Sequence, residues 1–201
     1  MNARTWAFTL LRRMRGVAGG LVAALLLMPL PAMAITFLGS WSPTFTQTGG
    51  PTPPTPTIVS DSVTNAGQDD QLLVNMDQYQ GSTAKASSQI VLTRQIQITS
   101  SSQTVEFDHT YDALFSFAGY TTTVQVKDLQ GHVVITPINV SKSNTSGTFK
   151  ELQDNANVRQ SLANGTYNLV VTITNTTNNK VGGWKFNPGH KSEHEFDFQG
   201  Q

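Results

Sequence analysis

The chain contains no cysteine, and only 13% of its residues are charged. The missing thiol rules out disulfide staples, thiolate nucleophiles and sulfur-ligated zinc, so stability has to come from burial, oxygen or nitrogen ligands, or partners. No G-x-S-x-G turn and no D-x-D-x-D-G loop occurs, which removes two direct sequence marks of a serine hydrolase and of a calcium hand. Helical spacing is scarce too: short alternating runs dominate, with a period of 2 and not 3.6. Arginine is sparse. Four of the 13 basic residues, Arg4, Arg12, Arg13 and Arg15, fall in the first 34 positions, where no acid occurs, so 9 basic residues face 13 acidic ones beyond them. Only Arg94 and Arg159 remain as arginines there. With no basic stripe for phosphates, nucleic acid is excluded as the expected partner.

Those first 34 positions read as a targeting segment. A basic start precedes the uncharged apolar run "GVAGGLVAALLLMPL", and "AMA" at Ala32–Ala34 is a small-x-small cleavage signal. The apolar run is short for a membrane span and is broken by Pro29 and Pro31. The expectation is a signal peptide over 1–34, release of the remainder outside the cytoplasm or at the cell surface, and no stable span in the released form.

Beyond it, "ITFLGSWSPTFTQT" alternates an apolar set (Ile35, Phe37, Trp41, Phe45) with hydroxyl residues, as a strand does. "GGPTPPTPT" at 49–57 then reads as a linker, held extended by four prolines. A single β domain is expected over 58–201. Its strands fall near Ile58–Val63, Leu72–Met76, Gln89–Thr99, Thr104–Phe107, Leu114–Phe117, Thr121–Lys127, His132–Ile138, Thr166–Asn175, Val181–Phe186 and Glu193–Phe198. In Gln89–Thr99, Arg94 interrupts an otherwise apolar face of Ile90, Leu92, Ile96 and Ile98. "VQVKDLQGHVVI" is a hairpin pattern, two β-branched runs around a D-L-Q-G turn. One short helix is expected near Lys150–Leu162, a stretch rich in poor helix formers. Many short strands without intervening helices indicate an antiparallel sandwich or barrel.

In "LANGTYNLVVTIT" a tyrosine, Tyr167, stands at a strand entrance two residues after Gly165. With the "VKDLQGHVV" hairpin, this resembles the tyrosine corner of secreted Ig-like sandwich modules on bacterial surfaces. The resemblance covers about Thr121 to Asn175 and implies an all-β, Ig-like antiparallel sandwich. The Cys…Trp…Cys pattern of antibody-type domains is absent.

Several groups invite chemistry. "HKSEH" at His190–His194 matches the H-x-x-E-H string of one zinc peptidase class, but Pro188 and Gly189 oppose the helix that the string requires. Asp69 and Asp70, with Asp77 or Asp61, offer oxygens for a structural calcium. "FDHTYD" gathers Asp108, His109 and Asp112, most simply as a hydrogen-bonded turn. Trp184 and Tyr120 follow glycines and suit stacking on a sugar ring. No other cofactor is indicated.

The 35–45 ribbon has two readings: the first strand of its own sandwich, or a plug that fills a neighbouring copy's groove. The second resembles the logic of donor-strand pilus subunits, although no cysteine pair is present and Gly200 stands where a penultimate tyrosine is usual. The expected function is therefore a secreted, non-enzymatic structural or adhesive protein, a self-assembling fibre or matrix subunit that uses Ile35, Phe37, Trp41 and Phe45 as assembly plugs. Alternatives are a carbohydrate-binding module that stacks polysaccharide on Trp184 and Tyr120, and a small secreted metal-dependent hydrolase.

Overall fold

A computed structural model describes residues 35–48, 57–64, 69–76, 86–148, 150–177, 183–184 and 193–201. Nine strands run in chain order: β1 (Ile35–Thr48), β2 (Thr57–Thr64), β3 (Asp69–Asn75), β4 (Ala86–Ser116), β5 (Ala118–Lys127), β6 (Val133–Asn144), β7 (Lys150–Thr177), β8 (Gly183–Trp184) and β9 (Glu193–Gly200). All pairings are antiparallel. The protein is an all-β sandwich, as the short alternating runs predicted. Among the described residues, no helix is long and apolar enough to cross a membrane.

Two long strands make both layers. β4 and β7 pair with each other along nearly their whole lengths, from Ala86↔Thr177 to Phe115↔Lys150. The first half of β4 and the second half of β7 lie in one layer, ordered β1-β4-β7-β5-β6. Their other halves lie in the second layer, ordered β2-β3-β9-β4-β7. The passage between layers is a register shift between Ile98 and Ser102, where β4 carries two more residues than β7. Inward positions change parity there. Ile90, Leu92, Ile96 and Ile98 are buried before the shift, and Val105, Phe107, His109 and Tyr111 after it. The small hydroxyl residues Ser100–Ser102 supply this bend, and Ser100 Oγ donates to Ser102 O at 3.0 Å. The sequence pattern divides this region into separate strands because the period of 2 slips at the bend.

At the same corner the Tyr167 hydroxyl donates to Ala163 O at 3.1 Å, four residues back, and Asn164 Nδ2 donates to Thr99 O at 3.0 Å. The backbone bond expected of a tyrosine corner is therefore present where β7 changes layer. The hairpin between β5 and β6 is closed by Gly131 N donating to Asp128 O at 3.0 Å and by His132 N donating to Asp128 Oδ1 at 2.8 Å, with Gly131 in the left-handed region at φ 89°.

The helix expected near Lys150–Leu162 is instead the first half of β7. Leu152, Asp154, Ala156 and Val158 are half-buried, and Glu151, Gln153, Asn155 and Asn157 are exposed. That alternation is the period of a strand, and the ladder to β4 outweighs the weak local helix preference. "FDHTYD" is likewise the middle of β4 and not a turn, so Asp108 and Asp112 point away from the core while His109 points into it.

The core is one cluster running from Ile35, Phe37 and Trp41 through Leu72, Leu92, Phe107 and Val171 to Phe196 and Phe198. A smaller cluster of Tyr111, Ala113, Ala118 and Tyr120 sits apart from it.

Candidate functional site

The seat of β1 is the first feature. β1 pairs with β4 from Ile35↔Ile98 to Thr48↔Ser87 and lies at the edge of its layer. Ile35, Phe37 and Trp41 are buried, at 1%, 6% and 5% exposure, and Phe45 is half-buried. Between Leu38↔Gln95 and Ser42↔Thr93 the register shifts, so Gly39, Ser40 and Trp41 bulge opposite the single residue Arg94. The Arg94 guanidinium turns inward. Its Nη1 donates to Asp70 Oδ1 of β3 at 2.9 Å, and its Nη2 donates to the Gly39 carbonyl. Arg94 is 5% exposed and Asp70 is fully buried. The interruption of the apolar face in β4 is therefore a fork joining β1 and β3 across the sandwich.

Two more contacts fix the strand. The Trp41 ring meets Phe198 of β9 at 5.8 Å between centroids. At the other end Ile35 packs against Gly200, where a Cβ would overlap the isoleucine side chain. Gly200, which has no side chain, lets the start of β1 meet the end of β9. The last residue is held there as well: Gln201 N donates to Thr104 O at 2.9 Å, and Gln103 Nε2 donates to Gln201 O.

The second feature is a groove of about 520 Å³ on the outer face of the other layer. Two cross-strand rows line it: Asn155, Thr110 and Glu195, then Gln153, Asp112 and Glu193. Asp112 stands directly opposite Glu193, and Asp108 directly opposite Asp197, arrangements that repel unless something cationic or hydrogen-bonding intervenes. Further along the face Glu106 takes Asn157 Nδ2 at 2.6 Å and Arg159 Nη2 at 2.9 Å. These partners, Asn157 foremost, hold its carboxyl below the ordinary value.

Beneath the groove an aromatic row fills the interior. His109 stacks on Phe196 at 4.6 Å, and Tyr111 meets His194 at 4.4 Å and Tyr120 at 3.8 Å. His109 Nε2 and His194 Nδ1 lie 3.2 Å apart, one donating to the other. The ring planes are within 17° and the centroids 5.5 Å apart, a separation close to the bond plus two ring radii. The imidazoles therefore meet edge to edge along one hydrogen bond. Burial drives the pKa of His109 down to about 4, against a smaller upward pull from Asp154. Burial first, and then His109, lowers that of His194 well below 6.5.

These placements correct several expectations. Tyr120 is 1% exposed because the even positions of β5 face the core, and its hydroxyl lies 3.4 Å from Asp154 Oδ2. Burial and then Asp154 raise its pKa, and its ring is not a platform for sugar. Asp69 and Asp70 are consecutive in β3 and face opposite ways, so they cannot share a calcium ion, and Asp70 belongs to Arg94. Glu193 and His194 belong to strand β9, where His194 is fully buried, and not to the helix that the H-x-x-E-H string requires. His190 and Asp77 lie outside the described residues. Trp184 sits opposite Phe115 by backbone pairing, and its side chain lies outside the described part of the structure. Among the described residues no three acidic or histidine side chains gather to hold a metal ion.

The groove and the Arg94 fork were missed as sites by sequence reasoning. Their signals were present: "EHEFDF" alternates acid with ring, and a lone arginine breaks an apolar face.

No protein family matches the chain, and no curated protein matches it. Among solved structures it is similar to the enzymatically active domain of bacteriophage CBA120 tailspike protein 4, at 12% identity and a TM-score of 0.36, covering 79% of this chain and 19% of that one. It is similar to the CBM22-1 xylan-binding domain of Paenibacillus barcinonensis Xyn10C, at 15% identity and a TM-score of 0.28, over 78% of this chain and 85% of that one. A family 11 carbohydrate-binding module from Clostridium thermocellum is similar at 13% identity and a TM-score of 0.28, over 83% and 95%. These likenesses are too distant to carry a function across.

Proposed function

We propose that this chain is an exported, non-enzymatic structural or adhesive protein whose copies join by exchanging β1. The observation that carries this reading is the seat itself. An edge strand with one ladder partner among the described residues supplies three buried plugs, Ile35, Phe37 and Trp41, to a core shared with β3, β4, β7 and β9. The segment that follows β1 carries four prolines in nine residues, and such a tether favours reach over close folding back. A β1 that leaves its own seat meets the same groove on a neighbour, and a head-to-tail contact of that kind propagates as a filament.

The chain from Ile35 onward is expected to scatter light increasingly with concentration and to form filaments under negative stain. A Phe37→Ser/Trp41→Ser variant is expected to remain monomeric. A wild-type chain that stays monomeric at every concentration removes the proposal.

The groove favours a second reading, polysaccharide binding. Its carboxylates accept from sugar hydroxyls, and Gln153 and Asn155 both donate and accept. A groove of that charge selects neutral over acidic glycans. Retention on a neutral polysaccharide column, lost in an Asn155→Ala/Glu195→Gln variant with an unchanged unfolding midpoint, supports it. Equal retention of both proteins rejects it.

A further inference from the structure

We infer that Arg94 is the group that selects the strand admitted to the β1 seat, and that the strand it admits is one of this chain's own kind, from the same or a second copy. The inference rests on the exchange reading for the second copy only; the selection acts equally on a strand seated within one chain.

Arg94 stands alone opposite a three-residue bulge, its fork divided between Asp70 and the Gly39 carbonyl. A guanidinium has five donors in a fixed plane and cannot shed its charge, so burying it requires acceptors in set places. Asp70 is one acceptor, built into the seat. The Gly39 carbonyl is an acceptor that the incoming strand itself brings. A regular strand directs its carbonyls along the ladder, so it has none to turn inward here. β1 solves this with Gly39 at φ 64°. A Cβ at Gly39 would meet nothing within 4 Å, so the glycine is required by its backbone conformation and not by lack of room. Sequence and seat are therefore matched at one point. An apolar strand without a left-handed residue at this place deprives the buried arginine of the acceptor that Gly39 supplies. Trp41, two residues on, then meets Phe198, and Ile35 meets Gly200, which sets the register at both ends.

The test is amide hydrogen exchange across Ile35–Thr48 in the full chain, with the β4–β7 ladder as internal reference. In the wild-type seat, Gly39→Val is expected to speed exchange of β1 by about tenfold or more, since a β-branched residue is strained at positive φ. In an Arg94→Met/Asp70→Leu seat, which removes reader and anchor together, no buried donor requires the Gly39 carbonyl to turn inward, and the same substitution should cost less than about threefold. Equal losses in the two seats, or no loss in the wild-type seat, overturn the inference. If the double replacement does not fold, Arg94→Lys decides. An ammonium's three donors sit on one nitrogen and lack the planar fork that sets Nη1 on Asp70 and Nη2 on Gly39, so β1 should lose protection while β7 keeps it; unchanged β1 protection overturns the inference. Coupling in a chain that stays monomeric leaves Arg94 as selector of a strand within one chain and ends the exchange reading. Assembly without coupling does the reverse.

Discussion

Asp70→Ala will lower the stability of the folded chain by about 3–5 kcal/mol, among the largest losses expected from one side chain. The carboxylate is fully buried and holds Arg94 Nη1 at 2.9 Å. Removing it takes a carboxylate at 2.9 Å from an arginine that is 5% exposed, in a low-dielectric interior. The pair is not thereby a large net source of stability, because both charges had to leave water first. Replacing both with apolar residues, as Arg94→Met/Asp70→Leu, should recover most of the loss. The Gly39 carbonyl then lacks its donor, so a residue of about 1–3 kcal/mol should remain. Urea unfolding near neutral pH measures all three proteins. An Asp70→Ala loss below about 1 kcal/mol would mean that the fork is not an energetic unit.

The second large effect is loss of stability in mild acid. His109 is held near a pKa of about 4 in the folded chain against an ordinary 6.5, chiefly by burial, and His194 is lowered by burial and by His109. The unfolded chain therefore takes up protons first as pH falls. The stabilisation is fully present above about pH 6.5 and is lost progressively as pH falls toward 4, where the loss from His109 levels off. His109 alone contributes on the order of 3 kcal/mol across that interval, and His194 adds in the same direction. The rings share one hydrogen bond at 3.2 Å, so both cannot be charged without parting β4 from β9. A His109→Leu/His194→Leu variant should show a flatter stability profile between about pH 6.5 and 4.5, a range above most carboxylate titration. A wild-type profile that is already flat there contradicts the burial of the pair.

Much of the fold is legible in the sequence because one rule, alternation, governs it. β1 and β9 follow from the pattern closely, and the β5–β6 hairpin is found at its turn although β5 begins three residues earlier and β6 runs on to Asn144. The failures occur where alternation slips or competes. The Ser100–Ser102 bend flips the parity of β4, so one 31-residue strand reads as several. Lys150–Leu162 carries too few strong β formers to announce a strand, and only its ladder to β4 makes it one. The site was harder to find. Tyr120 and His194 look like surface chemistry in isolation, yet each falls on the inward parity of its strand. Arg94 and Asp70 are 24 positions apart, in strands of different layers, and no local pattern pairs them. The groove rows join β7, β4 and β9 at separations that only the topology reveals.

The exchange of β1 is tested most directly by trapping it. The chain has no native cysteine, and Thr44 and Val91 are direct cross-strand partners on the outward face of the β1–β4 ladder. Cysteines placed at both positions will join across that ladder on oxidation, because facing residues in an antiparallel pair bring their Cβ atoms within about 5 Å. On a non-reducing denaturing gel, exchange between copies predicts a ladder of covalent dimers, trimers and longer chains that collapses to monomer on reduction. Complete oxidation to a single monomeric band at every concentration would place β1 in its own seat and contradict the proposal.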